Sequence, residues 1–204
     1  MEIKYKVFDK EITEQQASRL KDYDKLYILP NGLVKRREEI SAGKVIIIVY
    51  YLDDGETETE AQQALISFNV GYVIITREIY GNYTIESSNG YIAGSAEITS
   101  KCRNLLNSNN EIICSQPLDV LTNQPVFEQT GKYIGDYIDE RSTHYCWFHY
   151  NPDGSLDFCE FNYMEDYDSE WFHQSNIHEI RNYFVLSDAM YNYYLTADFL
   201  PPLA

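Results

Sequence analysis

A histidine and an aspartate that face each other across a β-ribbon are the residues best placed for chemistry in this chain. Residues 143–163 read as two aromatic-rich strands around Asn151-Pro152-Asp153-Gly154, a type I turn followed by a G1 bulge. With Asn151 opposite Ser155, the facing pairs are Tyr150/Leu156, His149/Asp157, Phe148/Phe158, Trp147/Cys159, Cys146/Glu160 and Tyr145/Phe161, alternating between the two faces of the ribbon. A carboxylate beside an imidazole orients the ring and raises its basicity, so His149/Asp157 has the form of an acid/base dyad. The nearest nucleophile is Cys159, but Trp147 lies across from it and no oxyanion donor is recognisable. A half-exposed His/Asp pair is also an ordinary cross-strand contact, and no catalytic residue is assigned.

Metal chemistry finds no better footing. His144 and His149 are five apart, which on a strand puts them on opposite faces, and His173 and His178 have the same separation on an expected helix. Asp53-Asp54-Gly55-Glu56 lacks the alternating ligands and terminal bidentate Glu of a calcium loop. The chain contains no GxGxxG, no Gly-Lys-Ser/Thr phosphate loop, no Gly-x-Ser-x-Gly and no His-Glu-x-x-His. No metal or cofactor is therefore expected, and the chain does not read as an enzyme.

The charge balance points elsewhere. Among 204 residues, 32 carboxylates stand against 16 cationic side chains, a formal charge of -16. Such a chain repels nucleic acid and anionic membranes and favours a basic protein as partner. Nineteen tyrosines supply apolar area with polar tips, suited both to wet sheet faces and to protein interfaces. Cys102, Cys114, Cys146 and Cys159 are irregularly spaced and are expected as free thiols; in the register above Cys146 and Cys159 point to opposite faces. The first residues lack the apolar run of a signal peptide, and no stretch approaches the roughly 20 apolar residues of a membrane span, so a cytoplasmic protein is expected.

The elements that would position these groups follow from periodicity. Alternation predicts strands near 2–8, 26–29, 33–38, 44–52, 72–80, 83–86 and 91–99, with turns at Pro30-Asn31-Gly32, Gly81-Asn82 and Ser87-Ser88-Asn89-Gly90. Capping boxes at Thr13/Gln16 and Thr57/Glu60, and caps at Ser175 and Ser187, predict helices near 13–23, 58–69, 175–185 and 188–196. Residues 104–110 read as a surface loop and 131–140 as a linker. The expectation is one α+β domain over 1–204, a mainly antiparallel sheet of hairpins packed with about four helices.

One surface stands out for binding. Glu165, Asp166, Asp168 and Glu170 interleave with Tyr167 and Trp171 directly after the aromatic ribbon, and Asp53, Asp54 and Glu56 add a second acidic turn. Aromatic anchors among steering charges suit fast, tight binding to a cationic protein. Leu29-Pro30-Asn31-Gly32-Leu33-Val34-Lys35, Val49-Tyr50-Tyr51-Leu52-Asp53-Asp54-Gly55 and Tyr150-Asn151-Pro152-Asp153-Gly154-Ser155-Leu156, together with the charge, resemble the immunity proteins that bacteria encode beside secreted toxins. The resemblance implies a protein that neutralises a basic cognate toxin, often by occluding its active-site cleft, and it transfers no individual functional residue. A structural or adaptor module for protein binding, or an enzyme whose site is unmarked in sequence, are the alternatives. The oligomeric state is left open.

Overall fold

The computed structural model describes residues 1–8, 10–134, 144–163, 168–173 and 177–202. The chain divides into two compact units, Met1–Arg77 with Ser87–Lys101, and Glu78–Glu86 with Cys102–Ala204.

In unit 1, β1 (Glu2–Val7), β2 (Lys10–Ile12), β3 (Tyr23–Ile28), β4 (Val34–Ser41) and β5 (Lys44–Tyr51) are joined by β6 (Gly71–Tyr80), β7 (Tyr83–Tyr91) and β8 (Ile98–Leu106), strands whose residues are shared between the units. Neighbours run β2-β1-β3-β4-β5-β6-β7-β8. The β3–β4 turn is the expected one: Gly32 takes a φ of +85°, and the Leu29 N–H reaches the Leu33 carbonyl at 2.8 Å. Between β5 and β6 the chain departs from expectation. Helix α2 (Glu58–Leu65) makes a crossover, so β5 and β6 are parallel, with Ile48 opposite Tyr72 and Tyr50 opposite Ile74. Its Thr57/Glu60 capping box forms as read from the sequence, and Ala61 and Leu65 pack on Ile48, Tyr72, Ile74 and Tyr91.

The expected α+β packing is thus corrected to a mainly β architecture. Helices α1 (Glu14–Ala17), α2, α3 (His178–Tyr183) and α4 (Asp188–Tyr194) are only 4, 8, 6 and 7 residues long. The first is cut short because Leu20, its next apolar position, is 43% exposed and gives the helix nothing further to bury, while Tyr23 already pairs with Ile40. Two expected breaks are strand. Ser87-Ser88-Asn89-Gly90 lies inside β7, where a Cβ on Gly90 would stand 2.3 Å from Ser100 Oγ; this glycine permits a close approach rather than a turn. The expected loop 104–110 begins within β8, and the turn itself starts at Asn107, whose side-chain oxygen accepts the Asn109 and Glu111 N–H groups.

Unit 2 contains the ends of β6, β7 and β8, then β9 (Ile112–Leu118), β10 (Gly131–Ile134), β11 (His144–Tyr150), β12 (Leu156–Tyr163) and β13 (Asp168–His173), neighbours in that order, with β9 to β13 antiparallel. The 151/155 register holds at the turn, where Asn151 N–H meets the Ser155 carbonyl at 2.9 Å and Tyr150 pairs with Leu156. It fails one residue later. Asp157 is an extra residue on β12, so the pairs become His149/Phe158, Phe148/Cys159, Trp147/Glu160 and Cys146/Phe161. The bulge sorts the two faces. Cys146, Phe148, Tyr150, Leu156, Cys159 and Phe161 turn inward against Ile177 and Ile180 beside α3 and Tyr193, Tyr194 and Ala197 around α4. Cys146 and Cys159 therefore share a face, contrary to expectation, and none of the four cysteines is in a disulfide. The Ser175 cap lies outside the described residues, as does most of the expected linker.

Candidate binding surface

Three places in the fold concentrate polar or aromatic chemistry. The first is the acidic turn after β5. Lys35, 7% exposed, lies 2.8 Å from Asp53 Oδ2 and bonds Glu56 at closer range, with its ammonium 4.4 Å from the Tyr50 ring centre. Glu56 also accepts the Tyr50 hydroxyl at 2.5 Å and the Asp53 N–H at 3.1 Å. Burial alone would raise the Glu56 carboxyl; Lys35, Tyr50 and the Asp53 N–H outweigh it and hold it below the usual carboxylate range. Asp53 and Glu56 thus face a cation of their own chain, and Asp54 is exposed.

The second is a buried lysine. Lys132 on β10 is fully buried, opposite Cys114 on β9, and its Nζ donates to the Tyr193 carbonyl and, at 2.7 Å, to the Thr196 carbonyl. Its Nζ also sits 3.3 Å from the Tyr193 ring centre, and the Tyr150 hydroxyl donates to the Tyr194 carbonyl at 3.1 Å. These are carbonyls at the C-terminal end of α4, which lack helical donors and carry the negative end of the helix dipole. Burial pushes the Lys132 amine down to about 7, against the pull of Cys114 and Asp198. An amine that has lost its proton still has two N–H donors, enough for both carbonyls. Lys132 docks α4 on the sheet, with Gln116 holding the Ala197 carbonyl at 2.9 Å beside it.

The third faces outward on unit 2. With the inner face of β10–β12 committed to the core, the opposite face carries Tyr133, Trp147, His149, Phe158 and Glu160. Their rings form a row: Tyr133 to Trp147 at 5.9 Å, Trp147 to His149 at 4.3 Å, and His149 to Phe158 at 4.2 Å with 19° between planes. Trp147 is 38% exposed. Gly131 makes room for the row's first members, since a Cβ there would stand 2.8 Å from Trp147 Nε1 and 2.5 Å from the Tyr133 hydroxyl. Glu160 lies at the edge, its Oε2 4.0 Å from His149 Nε2. Burial lowers the His149 pKa against the pull of Glu160 and Asp157, which leaves the ring neutral at pH 7 and its Nε2 without a hydrogen-bond partner among the described residues. The His149/Asp157 dyad is not formed: the bulge pairs His149 with Phe158 instead.

The residues read from the sequence as a partner surface separate accordingly. Glu165, Asp166 and Tyr167 lie outside the described residues. Asp168, Glu170 and Trp171 fall on β13, paired with Tyr163, Phe161 and Glu160 respectively. Asp53, Asp54 and Glu56 belong to unit 1. Tyr133 and Glu160 were missed, because 131–140 read as a linker and the unbulged register turned Glu160 to the same side as Cys146. The alternation Gly131-Lys132-Tyr133-Ile134 was the available signal.

Charge marks the same unit. Unit 2 carries 18 carboxylates against 4 cationic side chains, a formal -14, whereas unit 1, with 14 against 12, carries -2. Of the four cations Lys132 is buried, Arg103 bonds Gln116 at 3.0 Å and lies over Phe199, and Arg181 pairs with Asp188. Among the described residues no group of three or more His, Cys, Asp or Glu is placed to hold a metal, and no helix is long and apolar enough to cross a membrane. No family model matches the chain, and neither does any curated protein or solved structure.

Proposed function

We propose that this protein binds and neutralises a basic protein, in the manner of an immunity protein against a cationic toxin, through the outer face of the β10–β12 ribbon and the acidic strand β13 beside it. The observation that carries the reading is the coincidence on one unit of a half-open aromatic row and a formal charge of -14. Long-range attraction brings a cationic partner in, and rings that shed water on contact hold it. Neither part alone suffices. Exposed charges on their own give weak, salt-sensitive association, and a row of rings on a neutral surface does not select a basic partner.

The test begins with untagged protein incubated in lysate of its native host and analysed by mass spectrometry. One stoichiometric basic protein is expected. Against that protein, Trp147→Ala and Trp171→Ala are each compared with wild type for both rate constants, with folding checked by circular dichroism. Loss of an anchoring ring should speed dissociation by about 30-fold, the equivalent of a hot spot near 2 kcal/mol. Several weak partners in place of one would favour an adaptor module. Unchanged dissociation in both folded variants would remove this surface from the proposal.

A further inference from the structure

We infer that Trp147, His149 and Glu160 form a subsite for an arginine of the basic partner, the guanidinium lying against the exposed part of the Trp147 indole, beside His149, while the Glu160 carboxylate accepts its N–H groups. The inference rests on the reading of this chain as a binder of a basic protein and specifies the side chain it takes. Glu160 is partly exposed, with 24% of its side chain accessible, and His149 is its ion-pair neighbour at 4.0 Å. Burial lowers the pKa of that imidazole, and among the described residues no lysine or arginine pairs with the carboxylate. No lysine or arginine among the described residues lies over Trp147 or His149.

The rest of the chain treats such positions differently. Arg36 lies 3.8 Å over Tyr27, Arg77 lies 4.1 Å over Tyr51 and Arg103 lies 4.2 Å over Phe199. At the Trp147 row a half-exposed ring stands across from a carboxylate, and among the described residues no cation lies over it. A guanidinium fits better than an ammonium. It is planar and weakly hydrated, so it stacks on a ring at little desolvation cost and still presents paired donors to a carboxylate, whereas a lysine ammonium keeps its water and engages Glu160 as a point charge.

Fluorescein-labelled hexa-arginine and hexa-lysine peptides serve as probes, with anisotropy measured on the full chain at low ionic strength. Both peptides respond to the net charge equally, so their ratio isolates the subsite. Hexa-arginine should bind about three- to tenfold more tightly than hexa-lysine. Trp147→Ala should erase that ratio, Glu160→Gln should reduce it, and Glu97→Gln in unit 1 should leave it unchanged. If Trp147→Ala fails to fold, Glu160→Gln, which keeps the shape of a partly exposed side chain, decides alone. Equal affinities for the two peptides in the wild type, or an arginine preference that survives in Glu160→Gln and in folded Trp147→Ala, would overturn the subsite. A captured native partner that depends on Trp147, with no arginine preference among the peptides, would remove the subsite and leave the binding function. An arginine preference with no basic partner in the lysate would support the subsite and remove the neutralisation reading.

Discussion

Lys132 shows how a buried charge is read from what surrounds it. A lysine with its amine lowered from 10.5 to about 7, next to a thiol and two tyrosines, has the profile of a catalytic base. Its contacts instead identify a cap for the last carbonyls of α4, and that role makes a pH prediction with a definite sign. Between pH 7 and 9 the folded amine has lost its proton and the unfolded one keeps it, so unfolding takes up a proton and rising pH favours the folded state. Above pH 9 the Cys114 thiol, pushed up to about 11 by burial, acts in the opposite direction, because the unfolded thiol ionises first. Urea titrations at several pH values from 7 to 9 should show wild-type stability gaining on that of Lys132→Met by up to about 1.4 kcal/mol per pH unit. A constant difference would mean that the amine is protonated throughout. Gly131, next to it, offers a different test. Gly131→Ala places a methyl where Trp147 and Tyr133 lie, at a cost of about 1–3 kcal/mol, and should shift tryptophan emission while removing no ring.

At the level of elements, the ribbon β11–β12 carries both the core of unit 2 and its candidate surface, and one residue decides which side chain goes where. Deleting Asp157 would remove the extra residue and leave His149/Phe158, Phe148/Cys159 and Trp147/Glu160 paired flush, whereas inserting an alanine between Phe158 and Cys159 would turn Glu160 inward and Cys159 and Phe161 outward. The expected loss on the insertion is about 4 kcal/mol or more, since Phe161 and Cys159 are 1% and 0% exposed. Asp157→Ala, which keeps the length, should stay within about 1 kcal/mol of wild type in the same urea titration. An insertion as stable as the substitution would contradict the assignment of the two faces. The turn at 151–154 was legible because Pro and Gly dictate its geometry locally, and the α2 capping box was legible for the same reason. The bulge was not, because nothing in Leu156-Asp157-Phe158 marks an extra residue until α3 and α4 supply the face that Cys159 and Phe161 must join. The parallel β5–β6 pair escaped likewise: Asp53-Asp54-Gly55 looks like any turn, and only the long-range match of Ile48 with Tyr72 fixes the strand direction. Trp147, His149 and Phe158 could be placed on the ribbon from sequence, but their sides could not, and Tyr133 was hidden in what read as a linker.

For the molecule as a whole, the uneven charge is the property with the widest consequence. Carboxylates that look equivalent in the sequence differ in what remains available to a partner: Asp53 and Glu56 meet Lys35, whereas Asp157 and Glu160 on β12 stand in a unit whose net charge is -14. Electrostatic steering depends on this summed field more than on any one contact, and salt screens it over about 8 Å at physiological ionic strength. Association with a basic partner should therefore respond to the unit in which charge is removed. Asp157→Asn combined with Glu160→Gln should slow association several-fold at low salt and flatten its salt dependence, while Glu2→Gln combined with Glu97→Gln, two exposed carboxylates of unit 1, should change it little. Stopped-flow rates at two ionic strengths separate the cases, because both pairs remove the same formal charge. Equal effects of the two pairs would show that the partner responds to net charge alone and would detach the candidate surface from the approach of the partner, leaving the aromatic row to be judged by dissociation.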